Sequence, residues 1–426
     1  MNVIVVGAGI AGLVVARDLA RAGVSVTVLE AADHAGGQLI GIEVGGVVVD
    51  AAAESYATRS GAVAELAAEL GLETVRPLGA PAWIISTDGR QLPLPAASVL
   101  GIPAEPFAPD VVAAIGTAGA WRALLDKLIP MLRPDKYATL GDLVRRRMGA
   151  RVLDRLVAPV VRGVHSTSPD VLPVESAAPG LRQELRRTGS LAAAVAALRV
   201  QSPAGSQVAG VVGGLHRIAE ELEADARARG VEFRFGTRVA FATRDVVELD
   251  DGERLEGRVV VAAPSITSHA ARQREIIVAI AAVDAPELDS APRGTGALIA
   301  AGAPGIAARA FTHSSAKWTW VRDALRSGGG ERNAHRHIVR LSYDEMPEDP
   351  EGRVLADLRA ITGADIDRLE DLAVRSWLRT LVTESAADGP IVVGEAASGT
   401  GLATIVPEAR TAAKALAAEL NEEHDD

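Results

Sequence analysis

The chain opens with Asn2-Val3-Ile4-Val5-Val6-Gly7-Ala8-Gly9-Ile10-Ala11-Gly12, an apolar run followed at once by three glycines in a GxGxxG spacing. The apolar run predicts a strand buried on both faces of a parallel sheet. A helix is predicted from Ile10 to about Ala22, with Leu13 on its apolar face. Val24–Leu29 then alternates as a second strand. The first thirty residues therefore predict a strand, a helix and a strand.

The three glycines match the needs of a phosphate-binding turn. Gly7 permits the tight turn, Gly9 lets the backbone approach a diphosphate, and Gly12 lets the helix pack closely on the strand. Ile10 and Ala11 belong to the first turn of the helix, whose free N–H groups and positive dipole end attract an anion. We predict that this turn binds the diphosphate of a dinucleotide.

Glu30 supports that prediction, because it follows the second strand and lies eighteen residues beyond Gly12. An acid at this place accepts hydrogen bonds from ribose hydroxyls. A glycine turn of purely structural purpose would require neither this acid nor the ordered strand, helix and strand around it.

The segment after Glu30 indicates which dinucleotide is bound. The doublet Gly36-Gly37, followed by Gln38 and later by Ala53-Glu54, resembles the extended FAD fingerprint of the glutathione-reductase-like flavoproteins, including the amine oxidase superfamily. The resemblance implies that the doublet passes close to the phosphate arm of FAD. A plain NAD-binding domain does not need such a doublet.

Two later segments resemble the same superfamily. The strand Pro390–Val393 leads into Gly394-Glu395 and then into Gly401-Leu402, which resembles the C-terminal FAD motif. The resemblance implies that Glu395 contacts the polar arm and that the following helix points at the isoalloxazine, where its dipole stabilises an anionic reduced flavin. Val239 matches the position whose backbone meets the adenine.

Composition limits the alternatives. The chain has 426 residues and a formal net charge of −11, which argues against a nucleic-acid partner. It contains no cysteine, so a disulfide, thiolate catalysis and a flavin–cysteine bond are excluded, and FAD is expected to be held non-covalently. No signal sequence or spanning segment is evident. We therefore expect a cytoplasmic protein, and contact with the inner face of the membrane stays open.

The order of segments predicts an α/β fold with interleaved domains. A Rossmann-like FAD-binding domain of the glutathione-reductase type is predicted from residues 1–78, 205–264 and 385–421. Residues 79–95 and 265–384 are predicted to form a mixed-sheet substrate-binding domain. Residues 96–204 are predicted to form a helical subdomain of the membrane-facing type.

Several stretches across the chain resemble the porphyrinogen oxidases of haem synthesis, in the form found in high-GC Gram-positive bacteria. The stretches that carry the resemblance are Leu92–Pro95, Leu140–Gly149, Leu156–His165, Thr312–Trp318 and Val339–Tyr343. The resemblance implies oxidation of coproporphyrinogen III or protoporphyrinogen IX to the porphyrin by hydride transfer to flavin N5. It also implies that O2 reoxidises the flavin and that hydrogen peroxide is released.

No catalytic side chain is predicted, because forming the aromatic macrocycle drives hydride loss and orientation with exclusion of water suffices. The anionic propionates of the substrate favour a basic partner, and Lys317 is the candidate, although it also fits an exposed lysine at a strand end. Gly163 matches a stretch that faces the substrate in the resembled family. The resemblance leaves open a membrane contact, a ferrochelatase contact and the oligomeric state.

Histidines offer weaker candidates. His165 and His313 are candidate proton acceptors, but a structural or partly exposed histidine is the favoured interpretation of each. His335 and His337 share one face of a predicted strand without an evident third ligand, so no metal is predicted.

Three departures from the resembled family leave alternatives open. Gln38 stands where arginine is usual, and Asp50-Ala51-Ala52 replaces a usual Asp-x-Gly. The regions 265–288 and 378–389 look shortened relative to the resembled family. Both are expected to affect the wall of the substrate cavity. Another flavin amine or small-molecule oxidase on the same scaffold, or a non-catalytic flavin-binding paralogue, is therefore an alternative. The chain has few aromatic residues near its C-terminal flavin motif, which disfavours the aromatic cage of an amine oxidase.

Overall fold

The structure, a computed structural model, describes residues 2–79, 81–129, 137–201, 208–263, 266, 273–327, 334–380 and 389–425. The strands, in chain order, are β1 (Asn2–Val6), β2 (Ser25–Leu29), β3 (Gly41–Val44), β4 (Val47–Asp50), β5 (Tyr56–Ala57), β6 (Thr74–Val75), β7 (Trp83–Ile85), β8 (Gln91–Pro93), β9 (Ser98–Val99), β10 (Ile102–Pro103), β11 (Val208–Val211), β12 (Glu232–Arg234), β13 (Val239–Ala242), β14 (Val246–Leu249), β15 (Arg254–Glu256), β16 (Arg258–Val261), β17 (Gln273–Asp284), β18 (Gly296–Ile299), β19 (Ala310–His313), β20 (Arg336–Tyr343), β21 (Asp371–Thr380) and β22 (Ile391–Val392).

The helices are α1 (Ile10–Arg21), α2 (Ala62–Glu69), α3 (Pro109–Leu124), α4 (Leu140–Met148), α5 (Ala150–Val152), α6 (Ala158–His165), α7 (Val174–Ala177), α8 (Leu181–Thr188), α9 (Leu191–Gln201), α10 (His216–Ala228), α11 (Ser314–Lys317), α12 (Thr319–Ser327), α13 (Pro350–Thr362), α14 (Glu395–Ser398) and α15 (Leu402–Asp425). Turns of 3-10 helix cover Thr58–Ser60, Leu125–Leu128 and Pro286–Ser290, and a π-helical turn covers Leu153–Val157.

The first sheet is parallel and has the strand order β12-β2-β1-β16-β22. The central strand β1 is buried from Val3 to Val6, as its continuous apolar sequence predicts. Helices α1, α10 and α15 bury their apolar faces in one core beside this sheet. The carboxyl end of β1, where the glycine turn begins, therefore lies at the middle of the sheet.

The second sheet is mixed, with the order β21-β17-β20-β19-β18-β7-β8. Strand β7 pairs in parallel with β18, and the longer strands β17, β20 and β21 are antiparallel. One face of this sheet packs against α13, and the other packs against the β3–β4 hairpin and α12. The hairpin thus connects the N-terminal segment to the second sheet.

Helices α3 to α9 enclose a separate apolar core. In it a fully buried ion pair joins Arg147 to Asp126, and the same carboxylate accepts hydrogen bonds from Ser190 Oγ at 2.7 Å and the Ala192 N–H at 3.1 Å. Arg147 is thus a buried structural residue within the Arg145–Arg147 run. Among the residues that the structure describes, no helix has both the length and the apolar character needed to cross a bilayer.

The predicted α/β fold class, with parallel and mixed sheets and a helical part, is confirmed. The division into domains with the stated boundaries stays a prediction. The acidic run Glu422–Asp426 is typical of a disordered tail, and that interpretation is wrong, because the last helix continues to Asp425. Glutamate has a high helix propensity, so it extends a helix already held by packing. The parts of the shortened regions at residues 265, 267–272 and 381–388 lie outside the described residues.

Candidate cofactor site

The turn after β1 has the geometry that its glycines predict. Gly7 has a φ of +101°, a conformation that side chains rarely adopt. A Cβ at Gly12 would overlap the carbonyl oxygen of Gly7, so α1 can approach the strand only with glycine there. Gly9 caps α1 with an extended backbone and no side-chain hydrogen bond. The first turn of α1 is thus uncapped by any side chain, which suits binding of an anion.

Space for a diphosphate exists at this turn. A Cβ built on Gly9 meets no atom within 4 Å. The Gly36 N–H donates to the Ala8 carbonyl at 2.9 Å, and a Cβ at Gly37 would lie 3.2 Å from the Gly9 Cα. The glycine doublet therefore lies against the phosphate turn. This open cradle of backbone fits the phosphate arm of a dinucleotide.

Glu30 lies at the same turn. Its carboxylate accepts the Ala8 N–H at 2.7 Å and the Ala32 N–H at 2.9 Å. These two bonds fix the position of the acid and leave a further lone pair on each oxygen for a hydroxyl donor. The Thr237 N–H donates to the Glu30 carbonyl at 2.8 Å, so the chain leading to Val239 passes beside the acid. Val239 itself is buried at the start of β13.

Strand β22 brings the C-terminal motif to the start of α1. The Val393 N–H donates to the Val261 carbonyl at 3.0 Å, which continues the sheet. Gly394 has a φ of +87°, and a Cβ there would lie 3.1 Å from the Ala11 Cβ. Glu395 then begins α14. Two segments far apart in sequence thus meet at one place, as the FAD motifs require.

Gly401 and Leu402 begin the last helix. Gly401 has a φ of +100° and is exposed, and Leu402 is buried in the core beside α1. Of the remaining predicted residues, Gln38 is partly buried and Ala53 is exposed. Their contacts with a cofactor stay predictions.

Glu54 is surrounded by polar groups that sequence reasoning missed. Its carboxylate accepts Lys317 Nζ at 2.7 Å and Ser314 Oγ at 2.9 Å, and Arg340 Nη1 lies at 3.9 Å. Burial alone would raise the pKa of this carboxyl, but the charges of Lys317 and Arg340 outweigh it and lower the pKa to about 2. Glu54 is therefore ionised at neutral pH.

Arg340 holds the segment that precedes Glu54. Its guanidinium donates to the carbonyl oxygens of Asp50 and Ala52. The Asp50 carboxylate accepts the N–H groups of Leu215 and His216 at 2.9 and 2.8 Å, and so caps α10. The position of Arg340 in Val339–Tyr343, a stretch that carried the resemblance, was the only signal for this role.

The two predicted substrate residues lie apart from each other. Lys317 is paired with Glu54, so its charge is compensated and it is not an exposed lysine. Gly163 on α6 packs against the second sheet, where a Cβ would overlap the side chain of Leu298. Their contact with a substrate stays a prediction.

The histidines of the second sheet form a hydrogen-bonded chain. His313 Nε2 lies 3.1 Å from His337 Nδ1, His337 Nε2 lies 3.1 Å from Asp289, and His335 Nδ1 lies 2.6 Å from the same carboxylate. Burial and the neighbouring His337 lower the pKa of His313 to about 3. His313 is therefore neutral at physiological pH and poorly suited to accept a proton. His165 is partly buried at the end of α6.

Comparison with known proteins gives independent information. The family model described as flavin containing amine oxidoreductase matches residues 10–287. A protein named coproporphyrinogen III oxidase from Propionibacterium freudenreichii is 29% identical over 63% of this chain, and the match spans 58% of that protein. A protein of the same name from Mycobacterium leprae is 27% identical, with 98% of each chain covered.

Solved structures agree in fold. A structure from an Exiguobacterium species, named for protoporphyrinogen oxidase, has a TM-score of 0.80 at 22% identity and covers 98% of this chain and 99% of its own. Putrescine oxidase bound to putrescine has a TM-score of 0.66 at 16% identity, with 99% of each chain covered. The family match begins at Ile10, so it includes the first turn of α1, the glycine doublet and the whole helical part. This chain belongs to the flavin containing amine oxidoreductase family.

Proposed function

We propose that this protein oxidises a porphyrinogen, with coproporphyrinogen III as its preferred substrate, to the corresponding porphyrin in haem biosynthesis. The observation that carries the proposal is the full-length match to a protein named coproporphyrinogen III oxidase, in a chain whose cofactor turn keeps every glycine that the motif needs. Membership of the family makes the protein a flavin oxidoreductase.

FAD is the flavin we infer. The open space at Gly9, the uncapped start of α1 and the acid Glu30 suit a diphosphate joined to a ribose, which FAD contains and FMN does not. Gly36, Gly37 and Gly394 would line the phosphate arm. Glu54, Ala53 and Leu402 would lie toward the isoalloxazine.

A flavin held at this site would supply the hydride acceptor and would pass the electrons to O2, with hydrogen peroxide as the product. The chain contributes binding, orientation and exclusion of water. Arg340 holds the carbonyls of Asp50 and Ala52, which fixes the segment leading to Ala53 and Glu54. Lys317 and Ser314 keep the Glu54 carboxylate ionised and fixed in position.

Rapid anaerobic mixing of the FAD-loaded protein with coproporphyrinogen III tests the activity. We expect the visible absorbance of the flavin to bleach, and we expect porphyrin fluorescence and hydrogen peroxide when air is admitted. Protoporphyrinogen IX in a parallel reaction compares the two substrates. Bleaching by an amine alone would instead identify an amine oxidase, and a yellow protein inert to all three compounds would indicate a non-catalytic flavoprotein.

We also propose that the helical part contacts the membrane surface. Phe107 precedes α3, Trp121 lies in its last turn, and Leu125 and Leu128 follow it. All four are exposed apolar side chains, and we call them the apolar patch. Phe107 and Trp121 are in edge contact with ring centroids 5.0 Å apart, and the exposed Lys127 directly precedes Leu128 in the chain. Aromatic and aliphatic side chains with a lysine suit the interface of an anionic bilayer.

Co-sedimentation with vesicles tests this surface. We expect the wild-type protein to bind vesicles containing phosphatidylglycerol, and we expect Leu128→Glu to lose most of that binding. Phe241→Glu is the control, because Phe241 is similarly exposed but lies on β13, outside the helical part. Equal binding by both variants and the wild type would contradict the proposal.

A further inference from the structure

Three arginines converge on one carboxylate at an edge of the second sheet. Asp344 Oδ2 contacts Arg162 Nη2 at 2.5 Å, and Asp344 Oδ1 contacts Arg274 Nη2 at 2.6 Å and Arg309 Nη1 at 3.1 Å. We call these four residues the arginine cluster. Arg162 comes from α6, Arg274 from β17 and Arg309 from the residue before β19. The fold therefore assembles the cluster from three separate elements.

The cluster has a surplus of positive charge. Arg162 and Arg274 alone already outnumber the single Asp344 carboxylate that they share. Burial of Asp344 would raise its pKa, but hydrogen bonds and charge from Arg162 and Arg309 lower the pKa, so the carboxylate is ionised and the surplus is present at neutral pH. Such an arrangement attracts a further anion.

The charged groups of the cluster are reachable from solvent. The side chains of Arg274, Asp344 and Arg162 are 40%, 34% and 23% exposed, whereas Arg309 is buried behind them. Guanidinium groups in this setting can donate paired hydrogen bonds to a carboxylate. The exposed donors are thus those of Arg274 and Arg162.

The position of the cluster relates it to the candidate cofactor site. On β20, side chains alternate between faces, so Arg340 and the position of Asp344 fall on one face, separated by roughly 13 Å. The pairing of β17 with β20 puts Arg274 in line with that same face. Arg340 holds the segment that leads to Ala53 and Glu54. A molecule the size of a tetrapyrrole, oxidised beside that segment, would extend its acidic arms toward the cluster.

We infer that Arg162 and Arg274, supported by Arg309 and Asp344, form the subsite that binds propionate carboxylates of the porphyrinogen. The inference rests on the proposed function and replaces Lys317 as the favoured partner of the propionates, since the charge of Lys317 is compensated by Glu54. Arg162 immediately precedes Gly163, so the helix predicted to face the substrate supplies one of the arginines. Because coproporphyrinogen III carries more propionates than protoporphyrinogen IX, the subsite would favour the former.

Single variants of the FAD-loaded protein test the subsite. We expect Arg274→Gln and Arg162→Gln each to raise the KM for coproporphyrinogen III about ten-fold or more, as loss of a charge-assisted hydrogen bond predicts, with little change in kcat. Arg274→Lys keeps the charge and should recover part of the loss. Arg254→Gln is the matched control, because Arg254 is an exposed arginine paired with Glu248 on the small sheet of β13, β14 and β15.

A binding measurement separates this inference from the proposed function. Quenching of coproporphyrin III fluorescence reports binding without turnover, and the uncharged tetramethyl ester serves as the comparison ligand. If the wild type binds the acid in an Arg274-dependent way but does not turn over, the subsite stands and the proposed activity fails. If the wild type turns over and Arg274→Gln matches Arg254→Gln in both KM and binding, the subsite is wrong. Absence of binding to the wild type would also overturn it.

Discussion

At the scale of single residues, Gly9 is the position on which cofactor binding depends most directly. A side chain there meets no protein atom, so the fold tolerates it, but it enters the space that a diphosphate needs. We therefore expect Gly9→Val to fold normally and to retain little or no flavin after purification, even when FAD is supplied. The ratio of visible flavin absorbance to protein absorbance measures the loss.

A second glycine gives the matched control for that variant. A Cβ at Gly79 also meets no atom within 4 Å, and Gly79 has no positive φ and is not part of the phosphate turn. Gly79→Val should keep its flavin. A fully loaded Gly9→Val protein would show that the phosphate arm lies elsewhere.

Other residues show where sequence reasoning at this scale ends. The three glycines and Glu30 could be identified because a local turn, a helix start and an acid act together within thirty residues. The contacts of Glu54 with Lys317 and Ser314, and those of Arg340 with Asp50 and Ala52, join residues more than 250 positions apart. No local pattern encodes such pairs, so the ion pair between Lys317 and Glu54 could not be predicted from the sequence.

At the scale of secondary-structure elements, the ion pair between Glu54 and Lys317 fastens α11 to the segment after β4. Both side chains are largely buried, with 13% and 16% exposed. We expect Lys317→Met to lower the free energy of unfolding of the flavin-free protein by about 3 kcal/mol at pH 7, because it leaves a buried carboxylate without its main partner. Urea unfolding followed by tryptophan fluorescence measures the change.

The loss of stability expected for Lys317→Met depends on pH in a defined direction. The pKa of Glu54 is lowered to about 2 in the folded protein from an ordinary value of 4.5, so its stabilising contribution is complete above about pH 4.5 and is lost as the pH falls toward 2. The difference between Lys317→Met and the wild type should therefore shrink over that range. Lys414→Met, which changes an exposed lysine of α15, should differ little from the wild type at any pH. A difference that stays constant from pH 7 to pH 3 would contradict the assignment.

Elements differ in how well the sequence predicts them. Strand β1 and helix α1 are predictable because apolar periodicity and glycine placement agree. Strand β22 is only Ile391–Val392, shorter than the predicted Pro390–Val393, and its place at the edge of the first sheet depends on pairing with β16. The last helix packs its apolar face into the core beside α1 and continues through the acidic residues to Asp425.

At the scale of the whole molecule, the sequence predicts the fold class. It does not predict how the β3–β4 hairpin packs against the second sheet. The order of segments predicts a parallel sheet, a mixed sheet and a helical part, and all three are present. The β3–β4 hairpin, however, packs its valines Val44, Val47 and Val49 onto the second sheet. This contact, like the arginine cluster, arises from tertiary packing of elements that are distant in the sequence. The β-strand propensity of single residues carries no information about such packing.

The packing of the first long helix against the last one has a consequence for biosynthesis. Helix α1 is synthesised before its neighbour α15, which emerges about 380 residues later. At roughly 5–20 residues per second, the nascent chain waits some 20 to 80 seconds for that partner. During this interval, the apolar side chains of α1 that will contact α15 remain unburied. We therefore expect a ribosome-associated chaperone to bind the nascent chain.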